Sequence, residues 1–355
     1  MATALSGATC ALPRFGKALV VAAFCAIAAP ARADPVEDFY HNRQITLLVG
    51  SGAGGGYDSY ARVFARFMTA HIPGAPAIVV KDVPAAGGMA AANQLYSNVD
   101  HDGLTIAAHT NGVAMDPLFG NTAAHFDGRK FNWLGSIGKL QNICMTWHTS
   151  KVATIEDARK TEVTVAGAGA TSNSVIVPKI LNEVLGTKFK VIAGYEPGQG
   201  DAIAVEAGEV DGVCGLGWST IKASRAMWLE PGKIHVLVQM ALQKLPDLPD
   251  VPSALDLVTN PADKRVLELI LIRQEMGRPF AAPPGVPAER VAALRRAFDA
   301  TLKDPGFIAE AATAKMEIDP LTGEAIDALL ARAYDAPKDV VARAAALVTP
   351  EGAGR

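Results

Sequence analysis

The stretch "ITLLVGSGAGGGYDSYARVF", residues 45–64, runs from an apolar strand through a loop of small residues into a helix. Ile45 to Val49 reads as a strand. Beyond the glycines, Tyr60, Val63, Phe64 and Phe67 recur at helical spacing. A strand, a glycine turn and a helix form the opening unit of an α/β domain. Gly50, Gly52 and Gly55 match G-x-G-x-x-G. Glycines without Cβ let a ligand approach the backbone, and the free N–H groups and dipole at the helix N-terminus favour an anion there. A Walker loop is excluded, because Gly56 and Tyr57 stand where Lys and Ser or Thr are required. Asp58 falls in the first helical turn, where helix-end stabilisation is its ordinary use.

The pattern continues outward. "AIVVKD" (77–82) and "LTIAAHT" (104–110) read as strands, with a helix opening after Gly87 and Gly88 between them. After Trp133 the chain restarts with "WLGSIG" and "ICMTWH". "TIEDARK" sets Asp157 three residues after Thr154, a capping-box-like helix start. "EVTVAGAG", "FKVIAGY", "VDGVCGLG" and "IHVLVQM" read as further strands. The helix carrying Ile176, Ile180, Leu181 and Val184 stops at Gly186 and tolerates Pro178 only if it begins near Ser174. "LPDLPDVPSALDL" reads as a crossing between lobes. The order implies an α/β fold with mostly parallel sheets in two halves.

The first 33 residues differ from the rest. Arg14 and Lys17 precede the apolar core "ALVVAAFCAIAA", and Ala31 and Ala33 supply an A-x-A cleavage site. This reads as a secretory signal peptide cleaved after Ala33, with the mature chain in the periplasm. Phe24 is too large to precede a lipidated Cys25. Cys144 and Cys214 remain; in an exported chain they form either a disulfide or two separate buried thiols. The chain has 355 residues, is half apolar and carries a formal net charge of −3, which gives no footprint for nucleic acid.

No His-x-x-x-His, Cys-x-x-Cys or G-x-S-x-G pattern occurs, so neither a metal site nor a hydrolase elbow is expected. His109 and His148 are the histidines whose placement bears watching. A dinucleotide reading is the alternative: Asp82 ends the next strand, where a ribose-binding acid would sit. It would make the protein an exported Rossmann-type NAD(P)-dependent oxidoreductase using the Gly50–Gly55 loop, although nicotinamide cofactors belong mainly to the cytoplasm. Three more small-residue loops follow strands: Gly87–Gly88, Thr110–Asn111–Gly112, and the run through Gly169, Thr171, Ser172, Asn173 and Ser174. In open α/β sheets, ligands bind at the strand C-terminal edge. Neutral side-chain donors and free backbone amides suit reversible capture of a small anion better than covalent chemistry.

The glycine loop with "YDSYAR", then "VVKDVPAAGGMAAANQLY", "DGLTIAAHTNG", "FDGRKFNWLGSI", "LPDLPDVPSALDL" and "PFAAPPGVPAERVAALRRAFDATLKDP" follow in family order. They resemble the exported solute receptors of tripartite tricarboxylate transporters, the Bug family, over nearly the whole mature chain. The resemblance implies a two-lobed, type II-like Venus-flytrap fold with residues 34–136 and 247–355 in one lobe and 137–246 in the other. It implies a small carboxylate ligand, membrane permease partners, no cofactor, no catalysis and a monomer. Carried over by position, the ligand-binding set is Ser51, Ala53, Gly54, Gly55, Tyr57, Asp58, Thr110, Asn111, Gly169, Thr171, Ser172, Asn173, Ser174, Tyr195 and Trp218. Tyr57, Trp147 and Trp218 either stack on an aromatic ligand or pack inside. Gly52 and Ala53 stand where the family usually has prolines, and Asn173–Ser174 where it often has a histidine.

Overall fold

The computed structural model describes Gly7 and residues 34–170, 172–196 and 200–349. Thr171, residues 197–199 of the loop after Tyr195 and the expected signal peptide apart from Gly7 lie outside the described residues. Residues from Asp34 onward form one compact unit.

Its first sheet has six strands in the order β11-β4-β10-β3-β1-β2. These are β1 (Gln44–Val49), β2 (Ala77–Asp82), β3 (Thr105–Ala108), β4 (Asn132–Ser136), β10 (Pro279–Ala282) and β11 (Leu321–Thr322). The second has five strands in the order β7-β6-β8-β5-β9: β5 (Asn142–Trp147), β6 (Val163–Gly167), β7 (Phe189–Ala193), β8 (Gly212–Gly217) and β9 (Ile234–Met240). The helices are α1 (Pro35–Tyr40), α2 (Gly56–Met68), α3 (Met89–Ser97), α4 (Ile155–Lys160), α5 (Asn173–Leu185), α6 (Gly200–Glu206) and α7 (Trp218–Ser224) in the first two thirds of the chain. After them come α8 (Ala254–Leu257), α9 (Pro261–Glu275), α10 (Ala288–Thr301), α11 (Pro305–Thr313), α12 (Gly323–Tyr334) and α13 (Lys338–Val348).

β1 lies between β2 and β3, parallel to both. Its Ile45, Leu47, Leu48 and Val49 are buried, as a parallel strand covered on both faces requires. The glycine loop then turns the chain into α2, which buries Tyr60, Ala61, Phe64, Ala65 and Met68. The Phe64 ring sits 4.7 Å from Phe298, 5.2 Å from Phe280 and 5.4 Å from Phe307. Truncating such a ring to alanine costs about 3–5 kcal/mol, so this cluster fixes α2, and with it the loop, against the sheet.

The sheets are mixed rather than mostly parallel. β10 pairs antiparallel with β3 and β4, β11 with β4, and β5 with β8 and β9. The reason is that the strands on either side of each crossing enter their sheets outside the βαβ winding. β10 itself is four buried residues, too short for any sequence periodicity to reveal. The proline-rich stretch is wound against the end of β9. Gln239 Nε2 donates to the Leu248 and Val251 carbonyls at 2.7 and 2.9 Å, and its Oε1 accepts from Leu245 N–H at 2.7 Å. The chain re-enters the first sheet only at β10.

Thr154 and Asp157 form a complete capping box at α4. α5 begins at Asn173, which leaves Pro178 in its second turn with the Ser174 carbonyl deprived of its usual donor. Cys144 and Cys214 stand opposite each other on β5 and β8 and are joined, with S–S 2.15 Å.

The two crossings pack on one another. Leu140 N–H donates to the Gln274 carbonyl and Asn142 N–H to the Gln274 side chain, both at 3.0 Å. Ile137 N–H donates to the Arg278 carbonyl at 3.2 Å. A Cβ on Gly277 would meet Leu140 N at 2.2 Å, so only glycine fits between the crossings.

Candidate functional site

At the end of β1 three loops converge on backbone atoms. A Cβ on Gly50 would stand 3.1 Å from Gly88 Cα, and one on Gly88 would stand 2.8 Å from Thr110 Oγ1. Thr110 Oγ1 donates to the Gly87 carbonyl at 2.8 Å. Gly50 therefore serves this close approach. The rest of the loop is held by Asp58, which is buried: Oδ2 accepts from Gly54 N–H at 2.8 Å and Oδ1 meets Arg62 Nε at 2.6 Å. Arg62 also pairs with Asp82 at 2.8 Å. Asp82, the acid that a dinucleotide reading needs, is thus part of an Asp58–Arg62–Asp82 cluster. The N–H groups of Gly56, Tyr57 and Asp58 have no acceptor among the described residues, and Gly55 supplies no side-chain cap. Ser51 Oγ is buried without a partner among the described residues. The Tyr57 hydroxyl accepts from Asn111 N–H at 3.1 Å, while Asn111 Nδ2 is buried and without a partner among the described residues.

The second sheet presents the loop from β6 to α5. Ser174 Oγ accepts from Ala168 N–H at 3.1 Å and bonds Ser172 Oγ at 2.9 Å, and Ser172 N–H donates to the Gly169 carbonyl at 2.9 Å. These hydroxyls close the loop on itself. Gly215, at φ +72°, lets β8 approach so closely that a Cβ would stand 2.3 Å from the Asn173 carbonyl. Two aromatic candidates are engaged elsewhere. The Tyr195 hydroxyl bonds Glu209 at 3.2 Å, and Trp218 is buried in the second sheet's core with Nε1 donating to Asp247 at 3.0 Å. Trp147 lies against Trp228, with ring centroids 5.6 Å apart.

Two arginines that no motif singles out connect these loops. Arg273, in the last turn of α9, donates from Nη2 to Asn173 Oδ1 at 2.5 Å. Its Nη1 stands 3.6 Å from where a Gly112 Cβ would lie. Arg278, just before β10, lies over the Tyr60 ring at 3.6 Å and the Tyr57 ring at 5.6 Å, and its Nη2 donates to Ser219 Oγ at 3.4 Å. Its Nη1 stands 3.5 Å from a Gly56 Cβ. Each guanidinium therefore touches a loop of both sheets. Both arginines are buried, at 7% and 4% exposure.

Burial pushes the Tyr57 hydroxyl above its ordinary range, against the pull of its bond to Asn111 and of both arginines. Burial raises Asp116 to about 6 although Arg273 favours its charge. His109, fully enclosed, is pushed down to about 3 and stays neutral. Two buried guanidiniums without a carboxylate in ion-pair distance among the described residues suit an anion site. Among the described residues no group of His, Cys, Asp and Glu could hold a metal, and no helix is long and apolar enough to cross a membrane. A groove of about 430 Å³ between α9 and the segment 332–340 contains none of these residues.

Two mixed sheets with helices define the fold class: a two-lobed, type II-like binding-protein fold. Solved structures share the fold. The periplasmic binding protein BugD aligns with TM-score 0.63 and 22% identity over 87% of this chain and 97% of its own. An R. palustris protein solved with adipate gives TM-score 0.65 and 19% identity over 86% and 97%. A curated relative, the UPF0065 protein in the TAR-I ttuE-ttuC' intergenic region of Agrobacterium vitis, is 26% identical over 82% of this chain and 81% of its own. The model for the tripartite tricarboxylate transporter family receptor, TctC, matches residues 61–336, and the chain belongs to that family. These are receptors and not enzymes, which sets the oxidoreductase alternative aside.

Proposed function

We propose that this chain is a periplasmic receptor that captures a small carboxylate between two lobes and delivers it to the permease of a tripartite tricarboxylate-type transporter. Residues 34–136 and 247–355 form one lobe and 137–246 the other, and the monomer is exported with cleavage after Ala33. The observation that carries the reading is the convergence of donors from both sheets, with Arg273 and Arg278 at its centre. The adipate held by the R. palustris protein of the same fold supports it. Ligand biases an open–closed equilibrium through its tighter binding to the closed form, the form a permease reads.

Of the expected ligand-binding set, Ser51, Tyr57, Asn111 and the first-turn amides of α2 face this reading most directly. Asp58, Thr110, Ser172 and Ser174 act by shaping the loops. The test is a thermal-shift screen of mono-, di- and tricarboxylates. A ligand at 100 times its Kd stabilises by about 2.7 kcal/mol, and a flat response to every carboxylate overturns the reading.

A further inference from the structure

We propose that Arg273 and Arg278 are the residues that grip the ligand, and that the ligand is a dicarboxylate with one carboxylate for each guanidinium. This rests on the carboxylate-receptor reading above and names its substrate class.

The first ground is charge. Both guanidiniums are more than nine-tenths buried, yet among the described residues neither has a carboxylate within ion-pair distance. The neighbouring acids are engaged. Glu317, whose N–H donates to the Tyr60 hydroxyl at 2.7 Å, pairs with Lys222, as does Asp247. Asp116, the acid in electrostatic reach of Arg273, is raised by burial to about 6 and still carries charge at neutral pH, but it stands outside ion-pair distance and takes up none of the guanidinium's donors. A buried charge without an ion-pair partner is costly, and proteins keep one where something supplies the opposite sign.

The second ground is donor capacity. A guanidinium offers five N–H donors. Protein acceptors engage Arg273 through Asn173, and Arg278 through Ser219 and the Tyr60 hydroxyl, which leaves donors of both guanidiniums free. The remaining fork matches a carboxylate in bidentate geometry.

The third ground is placement. Arg278 lies against Gly56, the first residue of α2, and Arg273 bonds Asn173, the first residue of α5. Each is a thirteen-residue helix. A cation at a helix N-terminus is repelled by the dipole until an anion joins both. Asn111 Nδ2, buried and unpartnered among the described residues, adds a neutral donor beside Tyr57. Two cations, each at its own helix start, call for two anionic groups. A monocarboxylate leaves one guanidinium without an ion-pair partner.

The test compares linear dicarboxylates (succinate, glutarate, adipate) with monocarboxylates of equal length (butyrate, valerate, hexanoate) by calorimetry on the leaderless chain. The variants are R273Q, R278Q, R273K and R278K, each checked for folding by near-ultraviolet circular dichroism. The wild type should prefer its best dicarboxylate by about 30-fold or more over the matching monocarboxylate. Each Gln variant should reduce that ratio below about 5-fold, and each Lys variant should fall between, because lysine keeps charge but loses the fork. Equal binding of both series by the wild type overturns the proposal and leaves the receptor reading standing. So does an unchanged ratio in folded Gln or Lys variants. Binding of neither series overturns the proposal, and only a flat response in the full mono-, di- and tricarboxylate screen overturns the receptor reading as well.

Discussion

His109 follows β3 immediately and precedes the Thr110–Asn111 loop, and its side chain is fully buried. The ring packs 5.3 Å from Phe131 and 5.8 Å from Trp133, and neither ring nitrogen has a partner among the described residues. Burial alone pushes its pKa from 6.5 to about 3. The folded state therefore binds its proton less readily than the unfolded chain. The stability this neutral ring allows is fully present above pH 6.5 and is lost as pH falls towards 3. At pH 5 the unfolded ring sits 1.5 units below its pKa, and each unit is worth about 1.4 kcal/mol, so the loss is about 2 kcal/mol. His109→Leu removes this component and leaves the backbone bond from His109 N–H to the Pro279 carbonyl intact. Urea unfolding at pH 7 and pH 5 measures it. Wild type should lose about 2 kcal/mol more than the variant between the two pH values. The carboxylates that titrate in the same range are common to both and cancel. At pH 7 the variant should be no less stable than wild type, because two unpartnered nitrogens no longer have to be desolvated. If both proteins lose the same stability between pH 7 and pH 5, the ring is not held neutral and the reasoning fails.

Two further outcomes follow from the crossings and the second sheet. Gly277→Ala forces a methyl against Leu140 N and the Lys139 carbonyl carbon, backbone atoms that cannot step aside. Overpacking of this kind costs about 3 kcal/mol in a urea titration, and ligand affinity should fall with it since Arg278 is the next residue; a variant with wild-type stability and affinity contradicts the packing described. The Cys144–Cys214 bond closes a separation of 70 residues. Loop-closure entropy for that length is worth about 4 kcal/mol, so the double alanine variant should unfold at markedly lower urea and show no response to reductant. Two alkylatable thiols in the denatured, unreduced wild type would contradict the bond.

What the sequence revealed is what local physics controls. The run 45–64 gave a strand, a turn and a helix because apolar spacing, glycine and helical periodicity all lie within twenty residues of one another. Thr154 and Asp157 gave a helix start because both partners of the capping box are three residues apart. β10 escaped because four residues have no period, and its antiparallel direction depends on a crossing far away in sequence. Asn173 read as a donor for ligand, but its Oδ1 faces Arg273, one hundred residues later. The arginines escaped for the same reason. In a linear sequence an arginine reads as a solvated cation. Only packing shows that these two are buried and, among the described residues, without an ion-paired acid.

Their position explains how one site can sense both sheets. Residues 274–278 form the second crossing, bonded along the first through Gln274, Ser136 and the Arg278 carbonyl, with Lys139 paired to Glu275. Arg273 precedes that segment and Arg278 ends it. Arg278 reaches Gly56 on one side and Ser219 on the other, while Arg273 reaches Gly112 and Asn173. A charge carried on a crossing stays near the pivot when lobes rotate, whereas loops on the lobes swing towards or away from it. On the proposed reading, anion pairing with the arginines sets the base of the site, and the free amides of α2 are the groups whose distance to that anion changes on closure. Affinity differences between open and closed forms then arise mainly from the loops. The arginines fix which charges are admitted at all.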